Sequence, residues 1–262
     1  MNYKRIILPI VLGISGFIMI LISEIINQIQ GSKILIIAWL ASVLVTVSTF
    51  IIRFYSIDPE KFKEIIQRTN PIENRQLNSN RFLNWILITM VVGLVATIVI
   101  AYDFIIGMLV YLLMQISLII AFSGILFISP KVQMSHPKLR KVFLISIIFW
   151  IIFIPVVFFA FVWNGTESLI VVPYVVAIGS MACITWLGMG YNQRSKLFRY
   201  FILIASSLFV FSDLLIGNAR YGTFRVNIYL LIDITYVLNI ILMSHAQLFL
   251  QGVLRGSSGK NE

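Results

Sequence analysis

The residues most able to do chemistry in this chain are two aspartates, Asp213 and Asp233, each set inside a long apolar run. An ionised carboxylate at membrane depth costs at least about 2.5 to 3.5 kcal/mol, so an aspartate in such a run indicates a functional site. A pair of carboxyls could divide the work, the protonated one donating a proton and the ionised one stabilising a cation. The structural alternative is a carboxylate that reaches the headgroups near a helix end, or pairs with an arginine for packing.

Further polar residues lie near these aspartates and extend the candidate site. Tyr229, Asp233 and Tyr236 recur at intervals of four and three residues, which places them on one face of a helix. The candidate catalytic residues are Asp213, Asp233 and Asp103, and the candidate substrate-binding residues are Ser212, Tyr229, Tyr236, Asn239, Gln115 and Arg220. The alternative for the uncharged ones is hydrogen bonding between helices, worth about 0.6 kcal/mol per bond in a membrane bundle.

Composition identifies the elements that must position these residues. The chain has 262 residues, of which 60% are hydrophobic and 11% charged, and its mean hydropathy is +0.98. These values exclude a soluble globular domain and predict an all-α, multi-pass bundle in a membrane, expected to be the cell membrane. The net charge of +10 does not indicate nucleic-acid binding, because the basic residues are scattered among short loops beside the spans.

Eight apolar stretches are long enough to cross a bilayer, which takes about 20 residues of helix. The predicted spans of this single transmembrane domain, residues 1–262, are 6–26, 34–52, 82–101, 105–129, 142–162, 168–189, 197–216 and 226–250. Pro155 lies inside the fifth span and is expected to kink it. No metal cluster, phosphate loop or nucleotide fingerprint is visible in the sequence, so no metal and no cofactor is expected.

The connector of residues 53–81 is the longest in the chain and is predicted to be cytoplasmic. Asp58 is a good N-cap for a short helix up to Arg68. Phe62, Ile65 and Ile66 share one face of that helix, opposite charged residues, which predicts that it lies on the membrane surface. The alternative is a helix that docks a partner.

The stretch Leu208–Ile216, followed by a small residue and then Arg220-Tyr221, resembles the late Ser-Asp motif of the YhhN-like family, which includes the lysoplasmalogenases. The similarity extends from about Gly93 to Leu242. Gln115 stands where the family usually has a histidine after alanine, and Ile100-Ala101 replace a typical Gly-Asp pair. Thr235-Tyr236 resembles the family's Thr-Tyr, with Ile240 in place of a glutamine.

This resemblance implies a helical membrane hydrolase that cleaves the vinyl ether bond of a lysolipid taken from the membrane. In such a reaction a general acid protonates the enol carbon, and water attacks the resulting oxocarbenium ion. Asp213 matches the family's acidic position, and Asp233 or Asp103 could replace the missing partner.

Two other functions remain open. A non-catalytic ligand-binding or sensory bundle is favoured by Gln115 and Ala101, which depart from the family's motifs. A transporter would use Asp213 and Asp233 as a proton or cation relay. Against the transporter, the third and fourth spans show no Gly/Pro-interrupted pair that recurs in the other half.

Charge asymmetry predicts that both termini are cytoplasmic. Of the 20 Lys and Arg residues, 17 fall in the termini and the even-numbered connectors, against three on the other side: Lys33, Arg220 and Arg225. Cysteines introduced at Ser258 and at Thr223 should therefore react with an impermeant reagent from opposite sides of the membrane. Reaction of both from the same side would contradict this orientation.

Overall fold

The structure is a computed structural model that describes residues 4–30, 35–58, 60, 79–126, 134–135, 137–190, 195–221 and 229–249. Within these ranges, eight helices are long and apolar enough to cross a membrane, and strands are absent. The predicted all-α, multi-pass bundle of eight spans is confirmed. The side on which each terminus lies stays a prediction.

The helices alternate with short connectors and a few turns of other helix types. The helices are α1 (Lys4–Gln30), α2 (Leu35–Ile51), α3 (Ser79–Val99), α4 (Phe104–Leu126), α5 (Pro137–Val157), α6 (Val172–Gly188), α7 (Lys196–Tyr221) and α8 (Tyr229–His245). The π-helical segments are Ile52–Ser56 and Phe158–Val162, and the 3-10 segments are Thr166–Val171 and Ala246–Phe249.

Helices that follow one another in the chain are mostly neighbours in the bundle. α1 packs along α2, α3 along α4, and α7 along α8. α6 joins these pairs, because it contacts α4, α5 and α7. α1 and α2 both pack on α8, and α2 also packs on α3. The fully buried side chains at the centre include Met114, Leu118, Phe122, Phe198 and Phe209.

One end of the bundle, which we call the Asp103 end, holds the α3–α4 turn and the end of α7. The guanidinium carbon of Arg220 lies 5.2 Å from the centroid of the Phe104 ring, and the Tyr221 ring lies 6.1 Å from it. These contacts place the last turns of α7 beside the first turn of α4. Asp213, two turns earlier in α7, is therefore near this end.

Pro9 lies inside α1 and has no N–H to donate to the carbonyl of Arg5. The hydroxyl of Ser56 donates to that carbonyl oxygen instead, at 2.5 Å. The hydroxyl of Ser48 donates to the carbonyl oxygen of Pro9 at 2.8 Å, and Nε2 of His245 lies 2.9 Å from the same oxygen. Because hydrocarbon offers no hydrogen bonds, the contact from Ser56 explains how α1 tolerates a proline, and the contacts to the Pro9 carbonyl add further links between helices.

Helix α7 is longer than its sequence pattern predicted. The predicted span ended at Ile216, but the helix continues through Gly217 to Tyr221. Gly217 is buried, and a Cβ there would lie 3.0 Å from Cγ2 of Val162. This glycine therefore allows α7 to approach the π-helical segment closely and does not end the helix.

The kink at Pro155 and the surface helix stay predictions. Pro155 lies in the last turn of α5, and the chain then continues as the π-helical segment, in which the N–H of Trp163 donates to the carbonyl of Phe158 at 2.8 Å. The predicted surface helix lies almost entirely outside the described residues. Within them, the N–H of Glu60 donates to Oδ1 of Asp58 at 3.2 Å.

The turn between α3 and α4 brings two backbones unusually close. Asp103 caps α4, since its Oδ1 accepts a hydrogen bond from the N–H of Ile106 at 2.9 Å. One turn later, a Cβ on Gly107 would lie 2.5 Å from the Cα of Ile100. Backbone cannot move aside as a side chain can, so this position excludes any side chain.

Replacing Gly107 with alanine should therefore destabilise the α3–α4 pair by about 1 to 3 kcal/mol, the usual cost of overpacking. The expected result is a lower midpoint of thermal unfolding in detergent. Gly217→Ala is the matched control, because its Cβ would meet only a side-chain methyl. An equal or smaller loss in Gly107→Ala would contradict the close approach.

Candidate functional site

Asp213 lies on the face of α7 that packs against α6, where its carboxylate meets a phenol. The hydroxyl of Tyr174, on α6, donates a hydrogen bond to Oδ2 of Asp213. Tyr174 is 9% exposed, and the Gln115 side chain is another polar group near its hydroxyl. A hydrogen bond to a charged acceptor contributes about 1.5 to 3 kcal/mol, which makes this contact the strongest candidate for fixing the Asp213 side chain.

The pair borders a cavity of about 60 Å³ at the Asp103 end. The polar residues in its wall are Tyr111, Tyr174, Asp213 and Tyr221, and the rest of the wall is apolar, with Phe104, Met108, Phe153, Ile154, Val162 and Val210 among its members. A buried water needs about 10 to 15 Å³. The cavity can therefore hold water or a short polar group next to the carboxylate, inside apolar surroundings.

A second set of hydroxyls links this cavity to the other side of the bundle. The Tyr111 hydroxyl lies 3.0 Å from Oγ1 of Thr97, and the Tyr236 hydroxyl lies 3.2 Å from the same atom. The Tyr111 and Tyr236 rings meet edge to face, with centroids 5.8 Å apart. Thr97 thus holds together tyrosines from α4 and α8, and Tyr111 presents its ring to the cavity of Asp213.

The three predicted carboxylates are not brought together in one cavity. Asp233 is partly buried in α8, and neither it nor Asp103 is among the residues that line the cavity of Asp213. Asp103 is exposed and caps α4. The partner that the structure gives Asp213 is a tyrosine, whereas the sequence led us to expect a second aspartate.

The predicted substrate-binding residues next to Asp213 have other contacts. Ser212 is fully buried and donates to the carbonyl of Ile232 at 3.2 Å, which ties α7 to α8. Arg220 is exposed and lies over the Phe104 ring. Tyr229 begins α8, and its side chain lies outside the described residues.

The remaining predicted binding residues are buried. Tyr236 borders a separate cavity of about 20 Å³, between α2, α3 and α8, and not that of Asp213. The side-chain amides of Gln115 and Asn239 are fully buried. That of Gln115 lies near the Tyr174 hydroxyl without a hydrogen bond of normal geometry, and that of Asn239 has no hydrogen-bond partner among the described residues. Gln115 lies one turn below Tyr111 in α4, so its amide is close to the site in depth without lining the cavity.

Tyr174, Tyr111 and Thr97 are the site residues that sequence reasoning missed. A phenol in an apolar span needs a partner for its hydroxyl, and this need was the available signal. The ten tyrosines of the chain left too many candidates for that signal to select two. Tyr174 and Tyr111 belong to the site because α6 packs against α7 and α3 packs against α4.

This arrangement can support proton transfer. Placing an ionised carboxylate in an apolar cavity costs solvation free energy, and the neutral carboxyl does not pay this cost. The neutral carboxyl carries a proton that it can donate. After that proton leaves, the Tyr174 hydroxyl stabilises the carboxylate. Among the described residues, no three His, Cys, Asp or Glu side chains are grouped so that they could hold a metal ion.

Comparison with known proteins gives one match. No curated protein and no solved structure matches the chain. The model of the YhhN family matches residues 72–246, which include all of α3 to α8 and both Tyr174 and Asp213. Since the match covers more than half of the 262 residues, the resemblance of the Ser212-Asp213 stretch is confirmed, and the chain belongs to the YhhN family.

Proposed function

We propose that this protein is a membrane hydrolase that cleaves the vinyl ether bond of a lysolipid. The observation that supports this most is the hydrogen bond from Tyr174 to Asp213 in a mainly apolar cavity large enough for water. The reaction needs a proton donor, a place for one water and little competing solvent. The candidate site offers all three.

A single carboxylate can perform both steps. The Asp213 carboxyl first gives its proton to the enol carbon β to the ether oxygen, and the C=C π electrons form the new C–H bond. The product is an oxocarbenium ion beside the Asp213 carboxylate, which the Tyr174 hydroxyl holds. Water then attacks the cationic carbon, and the carboxylate takes a proton from that water. The hemiacetal that results breaks down to an aldehyde and a free glycerol hydroxyl.

A non-catalytic lipid-binding function is the second candidate, and Gln115 favours it. Its amide is fully buried near the Tyr174 hydroxyl, makes no hydrogen bond of normal geometry among the described residues, and stands where the family usually has a histidine. A buried unpaired amide costs free energy unless a ligand or water satisfies it. Binding of a lysolipid without turnover in a purified sample would support this function over hydrolysis.

Asp213→Asn should abolish hydrolysis of a lysoplasmalogen by the purified protein, a loss of at least about 10² to 10⁴-fold, because an amide cannot donate and retake the proton. Aldehyde release measures this. Asp103→Asn is the matched control: asparagine caps a helix as well as aspartate, and Asp103 lies outside the cavity. An equal loss in Asp233→Asn would show that two carboxylates share the reaction and would reject the single-carboxylate mechanism.

Tyr174→Phe should lower kcat about ten- to a hundredfold and leave the protein folded, because it removes a bond to a charged group worth about 1.5 to 3 kcal/mol. Tyr102→Phe is the control, since Tyr102 is 77% exposed. Unchanged turnover in Tyr174→Phe would show that this hydrogen bond only supports packing.

A further inference from the structure

A second cavity of about 230 Å³ lies beside the cavity of Asp213, between α5, α6 and α7. The residues that line both cavities are Phe153, Ile154, Gly179, Val210 and Leu214. The second cavity adds mainly aromatic walls, with Phe149, Trp150, Trp186 and Phe211 among them. The two form one continuous groove, which is polar near Asp213 and apolar beyond it.

The groove opens toward the lipid because α5 and α7 stand apart. Both helices pack on α6, but among the described residues they meet mainly through the π-helical segment Phe158–Val162 at the Asp103 end. Beyond that segment, α6 lies at the bottom of the gap between α5 and α7. Ser207 and Phe211 of α7 border this gap and are exposed. A molecule in the bilayer can therefore enter from the side.

The length of the groove matches one leaflet. Tyr174, at its polar end, and Trp186, at its apolar end, are twelve residues apart on α6, which corresponds to about 18 Å of helix. Half of the hydrocarbon core of a bilayer is about 15 Å thick. A chain that starts at the depth of Asp213 would reach the middle of the membrane inside this groove.

The dimensions also select the kind of occupant. Drug-sized ligands occupy cavities of about 300 to 1,000 Å³, so a cavity of about 230 Å³ is small for a ligand of that size. None of the residues that line it is charged. A slender, unbranched hydrocarbon chain fits both properties.

We propose that this groove binds the single hydrocarbon chain of a lysolipid that enters from the bilayer between α5 and α7. The headgroup end then lies at the Asp103 end, and the first atoms of the chain lie beside Asp213 and Tyr174. The assignment of a lysolipid rests on the proposed function, whereas the binding of a single chain rests on the groove. Gly179 lines both cavities and so lies where they join. A side chain there would collide with Ile154.

The test uses a lysolipid with a saturated ether chain that carries a diazirine near its terminal methyl, added to the full-length protein in nanodiscs. Because the chain has no vinyl ether, it cannot be cleaved, and labelling does not depend on turnover. Photolysis should label Phe149, Cys183 or Trp186, and an excess of the unlabelled saturated-ether lysolipid should reduce that labelling severalfold. Labelling that this competitor does not reduce, or that lies on lipid-facing residues such as Ile14 and Ile18, would overturn the proposal.

A variant adds a second measurement. Ser207→Trp places a large ring at the mouth of the groove and should reduce the competable labelling severalfold. Ala219→Trp makes a similar change at an exposed position of α7 that lines neither cavity, and it should leave the labelling unchanged. Equal labelling in the two variants would contradict entry between α5 and α7.

The labelling experiment can fail or succeed independently of the hydrolysis assay. Competable labelling of the groove without any lysoplasmalogen hydrolysis would support chain binding and reject the hydrolase. Hydrolysis without such labelling would support the hydrolase and reject the groove.

Discussion

The structure depends on one constraint: in hydrocarbon, each polar group must find its partner inside the protein. The hydrogen bond from Tyr174 to Asp213 satisfies this constraint for the carboxylate that borders the cavity of about 60 Å³. The bond also holds α6 against α7 and aligns the walls of both cavities. Structural stability and the candidate chemistry therefore rest on the same contact.

The same constraint explains how the two N-terminal helices join the part of the chain matched by the family. α1 and α2 lie outside residues 72–246, yet they pack on α3 and α8. Pro9 leaves α1 with a carbonyl to satisfy, and the hydroxyls of Ser48 and Ser56 and the ring of His245 all serve α1 carbonyls. The carbonyl that the proline frees thus ties α1 to the segment after α2, and the Pro9 carbonyl ties α1 to α2 and to His245 of α8.

The spans and the importance of Asp213 could be predicted from the sequence because both depend on local composition. An apolar run of sufficient length crosses a bilayer, and a lone carboxylate in such a run is rare. The partner of Asp213 depends on which face of α7 meets which neighbour, and local composition carries little of that information. We expected α8 to supply the partner, because α7 and α8 are joined by a short connector, and these helices do pack together.

The face of α7 that meets α8, however, carries Ser212, whose hydroxyl donates to the carbonyl of Ile232. Successive residues of an α-helix are rotated by about 100°, so Asp213 lies on a different face of α7 from Ser212, where it meets Tyr174 of α6. This rotation of one residue gives Asp213 a hydrogen bond from Tyr174 of α6, although Asp213 and Asp233 both lie close enough to Tyr236 to interact with it electrostatically. The carboxylate borders the smaller cavity, which shares wall residues with the larger cavity between α5, α6 and α7. The position of Ser212 in the α7–α8 contact therefore leaves Asp213 on the face of α7 that borders the smaller cavity and meets Tyr174.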